Sequence, residues 1–138
     1  MATLPSGLDE IIAEDEDLAR YLTSSSQFNA LMVKPAAFLP SPKDQETSVF
    51  RHGSEPREQL WAIGIEHAAG GRNLHAAAIC KASHIKAAQL EVIAEEPPPR
   101  HAVIRGWPFS ETDPELQKAK QKELALLIAS KAELVRRL

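Results

Sequence analysis

The chain has 138 residues, 43% of them hydrophobic and 25% charged, the size and balance of one globular domain with a single core. A formal net charge of −3 argues against a general nucleic-acid binder, which carries a basic surplus. One cysteine, Cys80, leaves no disulfide framework and no Cys-based zinc knuckle. The N-terminus has no secretory signal pattern, and no apolar run nears the ~18 residues of a membrane span. The expectation is therefore a cytoplasmic protein that does not enter a membrane.

In chain order, residues 1–6 read as flexible. Ser6 with Asp9 resembles a capping box opening a helix over residues 7–22. Leu8, Ile11, Ile12, Leu18, Ala19 and Leu22 follow helical spacing, and the opposite face carries the acids, Glu14 and Asp15 among them. That acidic face is a candidate docking surface for a basic protein partner. Leu31–Leu39 reads as an edge strand interrupted by Pro35, and Glu46–His52 as a better one. In that second strand Thr47, Val49 and Arg51 point one way and Ser48, Phe50 and His52 the other. Ser54-Glu55-Pro56 starts a short helix through Leu60, Trp61 and Ile63. Leu74–Ala82 reads as a strand, Ser83–Gln89 as one or two helical turns, and Leu90–Ala94 as another strand.

Pro97-Pro98-Pro99 predicts a stiff extended entry into a short strand at His101–Arg105, closed by Gly106-Trp107-Pro108. Asp113-Pro114 is an N-cap followed by proline at the first helical position, opening a helix over 114–137. Its apolar stripe is Leu116, Leu124, Leu127, Ile128, Val135 and Leu138. The fold expectation is one α+β domain spanning 1–138. It has a mostly antiparallel sheet of four or five strands, flanked by N-terminal, short central and long C-terminal helices.

The usual nucleotide, zincin and hydrolase signatures are absent, and no metal or cofactor is assigned. Cys80 and His84 have helical i, i+4 spacing, but zinc would need a further histidine brought in by the fold. Arg51-His52 and Arg100-His101 both fall on expected strands. Brought together, they would supply an acid, a base and two anion-binding guanidiniums for a metal-free reaction on a phosphodiester or nucleotide. In that reading Arg105 binds beside them and Trp107 walls the pocket.

Val33-Lys34-Pro35-Ala36-Ala37-Phe38, Ser48-Val49-Phe50-Arg51-His52, Trp61-Ala62-Ile63-Gly64 and Arg100-His101-Ala102-Val103-Ile104-Arg105-Gly106-Trp107-Pro108 occur in that order. The set resembles a family of small uncharacterised bacterial proteins over roughly residues 18–130. The resemblance implies a bacterial, cytosolic protein associated with mobile elements and defence loci. The first functional expectation is a non-catalytic accessory or protein-interaction module of a bacterial multi-protein system, and the alternative is the small Arg–His enzyme. Nucleic-acid binding by the basic C-terminal helix is a weaker third, since the net charge counts against it.

Overall fold

The computed structural model describes residues 2–52 and 55–137. Six short strands, β1 (Asp17–Leu22), β2 (Thr47–Arg51), β3 (Ala76–Lys81), β4 (Glu91–Ala94), β5 (His101–Arg105) and β6 (Glu133–Arg136), form one antiparallel sheet in the order β4-β5-β2-β1-β3-β6. Three α-helices accompany it: α1 (Gln59–Ile63), α2 (Ala82–Ala87) and α3 (Pro114–Lys131). A π-helical turn, Gly64–Ala68, prolongs α1. The domain is thus α+β, with more strands than expected and, among the described residues, no N-terminal helix.

Both faces of the sheet are covered at its centre. Leu18, Leu22, Val49, Ala78, Ala102 and Ile104 lie on a first face, in one core with α2, α3 and the 28–39 segment. Ala19, Tyr21, Phe50, Ala77 and Ile79 lie on the second, under Leu60 and Ile63 of α1. This double burial explains the first correction. Residues 7–16 run as turns, and residues 17–22, expected as the end of a helix, form β1. A strand buried on both faces carries apolar residues at consecutive positions, and over so short a run that pattern matches a helical one.

The N-terminal arm is tied down by long-range contacts. Thr3 bridges Asp9, and the Ser6 N–H and hydroxyl both donate to the Glu96 carboxylate. Met1 lies outside the described residues, as do Ser54 of the expected central helix start and Leu138 of the expected C-terminal stripe.

Leu31–Leu39 is not a strand. Pro35 opens a 3-10 turn, Pro35–Ala37, with Phe38 N–H donating back to Pro35 O. The proline run is not an extended polyproline segment either: Glu96–Pro97 and Pro97–Pro98 are cis, and Arg100 turns with φ 68°. Trp107 covers the first-face core, 6% exposed, its Nε1 donating to Ile104 O.

The C-terminal helix starts as expected, with the Asp113 carboxylate accepting from Leu116 N–H at 3.0 Å. It stops at Lys131 rather than 137: Ala132 is extended, and Glu133–Arg136 pairs with β3. Its buried face is Gln121, Ala125, Ile128 and Ala129, whereas Leu116 and Leu127 of the expected stripe are 47% and 49% exposed. Gln121 anchors this face by donating through Nε2 to Pro108 O and Gln45 Oε1, both at 2.8 Å.

Candidate functional site on the open half of the second face

The sheet opens between β1 and β2. Their ladder holds only Leu18–Arg51 and Ala19–Phe50, although β1 continues to Leu22 and β2 begins at Thr47. Beyond Phe50 the Arg20 side chain takes the place of the ladder, Nε donating to Ala37 O at 2.7 Å and Nη1 to Ser48 O at 2.9 Å. A buried carbonyl left without a donor is costly, so a guanidinium bridging two of them holds the splayed strands. Burial, and then the nearby Arg72 charge, lowers the Arg20 pKa from the usual arginine value.

Two hollows meet at Arg20 and Ser48. The larger, 390 Å³, is bounded by the 39–44 loop, Glu46, Glu95, His101 and Val103. Here the register of β2 with β5 sets Ser48 diagonal to His101 on one face. Ser48 Oγ lies 2.5 Å from His101 Nε2, and His101 Nδ1 lies 2.8 Å from Glu95 O. The Phe50 ring packs on the imidazole at 5.3 Å between centroids. Arg105 reaches Glu46 at 3.5 Å and Glu95 at 3.8 Å, which closes a polar cluster around the histidine. A serine hydroxyl on an oriented imidazole has the geometry of a nucleophile with its base. Catalysis of acyl or phosphoryl transfer also needs donors aimed at the developing charge, and Arg20 already gives Nε and Nη1 to backbone carbonyls.

The other expected site residues are placed as follows. Arg51 is 2% exposed and points to the first face, gripping Glu16 and Asp9 O. Arg100 donates to the carbonyls of Arg51 and His52 and sits 3.5 Å from Glu55. His52 is 4% exposed beyond the end of β2 and does not line the His101 hollow. Its pKa is lowered by burial, then by Arg57 and Arg100, against the opposing pull of Asp17 and Glu55. Trp107 belongs to the first-face core and does not line that hollow. Glu14 is exposed and pairs with Lys86 at 2.9 Å; Asp15 is exposed, and its carbonyl accepts from Lys81 at 3.4 Å.

Cys80 and His84 lie on β3 and α2 rather than on one helix, and among the described residues no three metal-ligating side chains cluster. Burial pushes the Cys80 thiol up to about 12, with Asp17 adding to it, so it is a poor nucleophile. Sequence reasoning had not singled out Ser48, Arg20 or Glu95 for a site. Arg20 did carry a signal, a lone cation inside the apolar run 18–22. The diagonal pairing of Ser48 with His101 depended on a strand register that the sequence does not contain.

A third concavity, 310 Å³, lies along the sheet edge formed by β4, which among the described residues pairs with β5 alone. Val92, Ile93 and Ala94 line it together with Ile11 and Ile12 of the N-terminal arm. Val92 and Ala94, opposite Ile104 and Ala102, share the first face, while Ile93, opposite Val103, lies on the second. Glu10, Glu14, Glu91 and Lys86 also line it, Lys86 paired with Glu14. Among the described residues neither Glu10 nor Glu91 has a cation within 4 Å. Ile11 is 72% exposed.

Comparison of the chain with protein-family models, with curated proteins and with solved structures finds no match in any of the three. Among the described residues no helix is long and apolar enough to cross a membrane.

Proposed function

We propose that this chain is a non-catalytic protein-interaction module of a bacterial multi-protein system, and that it binds an extended, basic segment of a partner protein along the β4 edge. The observation that carries the reading is the hollow beside an edge strand, lined by apolar side chains with Glu10 and Glu91. Edge strands offer unused backbone donors and acceptors, and a peptide strand that adds there gains a ladder plus pockets for alternate side chains. Glu10 and Glu91, with no cation within 4 Å among the described residues, select lysine or arginine at the outward positions. The motif order's resemblance to small bacterial proteins supports the bacterial setting. The structural bonds of Arg51 and Arg100 favour binding over chemistry, since both guanidiniums are used within the fold.

The test is a titration of the isotopically labelled chain with two short extended peptides, one alternating valine with lysine and the other valine with glutamate. The lysine peptide is expected to shift the amides of Glu91–Ala94, Ile11 and Ile12, and Ile93→Lys to abolish those shifts while leaving the rest of the spectrum in place. Equal response to both peptides, or none at millimolar concentration, overturns the reading.

The enzymatic alternative, on a phosphodiester or nucleotide, is favoured by one observation, the short Ser48–His101 contact facing a hollow. It requires that Ser48→Ala and His101→Ala each abolish a turnover that the wild type displays.

A further inference from the structure

The smaller hollow at the β1–β2 opening has a volume of 140 Å³ and is lined by Arg20, Thr23, Gln27, Ser48 and Arg72, with Tyr21, Phe50 and Ala68 as its apolar wall. We propose that this hollow is a binding site for one phosphate-sized tetrahedral oxyanion, free or as the head of a phosphate monoester. The site goes beyond the β4 interface and does not depend on it.

Its polar lining is biased toward donors. Arg20 Nη2 donates to no protein acceptor among the described residues, because only Nε and Nη1 hold carbonyls. Arg72 spends Nε alone, on Ala69 O at 3.2 Å. Gln27 closes a capping box, its Oε1 accepting from the N–H groups of Thr23 at 3.0 Å and Ser24 at 3.2 Å, so its amide nitrogen is left as a donor. Tyr21 contributes no donor, since its hydroxyl donates to Leu60 O at 2.6 Å.

Among the described residues no carboxylate lines the hollow and none lies within 4 Å of either guanidinium. Two like charges facing one partly enclosed space without a counter-charge cost free energy, and a bound anion removes that cost. Guanidiniums suit an oxyanion in particular, because their planar fork meets two oxygens at once. The hollow has room for one tetrahedral oxyanion between the two guanidiniums. Arg20 is held on both sides by backbone, so it is preorganised. Arg72 is exposed and can close over the ligand.

The experiment is calorimetric titration of the full chain at low ionic strength with inorganic phosphate, phosphoserine and acetate. Phosphate is expected to bind at one site and acetate at least tenfold more weakly. Phosphoserine separates the two sources: binding as tight as phosphate or tighter identifies a monoester site, and much weaker binding identifies a free-anion site. Arg72→Gln, at an exposed position, should keep the fold and weaken phosphate at least tenfold. Ile93→Lys should leave phosphate binding unchanged, which separates this site from the β4 edge. Absence of binding at millimolar phosphate, affinity indifferent to Arg72→Gln, or acetate matching phosphate each overturns the proposal.

Discussion

Arg51 and Glu16 are joined by two parallel hydrogen bonds, Nε to Oε2 at 2.6 Å and Nη2 to Oε1 at 2.8 Å, with Arg51 2% exposed. The third arm, Nη1, holds Asp9 O at 2.6 Å, so one side chain fastens the N-terminal turns to β2. Glu16→Gln leaves a buried guanidinium without its counter-charge and is expected to cost about 3–5 kcal/mol. Urea denaturation reads this directly. A midpoint unchanged from wild type would show that water compensates Arg51.

Helix α3 gives a paired prediction. Ile128 is fully buried and Leu127, one position away, is 49% exposed. Ile128→Ala is expected to cost about 2–5 kcal/mol, for lost burial plus the cavity left behind. Leu127→Ala should stay within about 0.5 kcal/mol. Melting both variants checks the assigned face, and equal losses would put Leu127 in the core.

What was legible in the sequence followed local chemistry. Asp113-Pro114 marks a helix start because the cap and the proline act within one turn, and the start appears as expected. Alternation placed Val49 and Phe50 on opposite faces of β2, where they belong to separate cores. The failures are tertiary. Leu134 and Val135 continue a helical spacing, yet they pair with Ala78 and Ala77 because β3 has an open edge there. Leu18 and Ala19, adjacent in sequence, are both fully buried because layers cover both sides of β1. For the site, side-chain type was legible and register was not. His101 was singled out, but its neighbour is Ser48 rather than His52.

Gly64 closes the Trp61-Ala62-Ile63-Gly64 motif for a steric reason. A Cβ there would lie 2.5 Å from Tyr21 Cε1 and 2.8 Å from Leu74 Cδ1. Tyr21 cannot easily yield, since its hydroxyl is bonded to Leu60 O and its ring packs 6.1 Å from Phe50. Gly64→Ala is therefore expected to destabilise by about 1–3 kcal/mol, against the usual gain from alanine in a helix. Calorimetric melting decides the sign, and a stabilised variant would mean that the second-face core has slack at this point.

His52 should make stability fall on mild acidification. The residue is 4% exposed, and among the described residues Nε2 has no hydrogen-bond partner. Burial, then Arg57 and Arg100, lowers its folded pKa, while in the unfolded chain it titrates near about 6.5. The unfolded state thus takes up a proton at higher pH than the native state does. The contribution of His52 is fully present above about 6.5 and is lost as pH falls from there toward the lower folded value. His52→Phe keeps a ring of similar shape and removes the titration. Urea midpoints measured across that window should decline for wild type and decline less steeply for His52→Phe. Parallel slopes would show that His52 takes its proton as readily folded as unfolded, and that Asp17 and Glu55 cancel the burial.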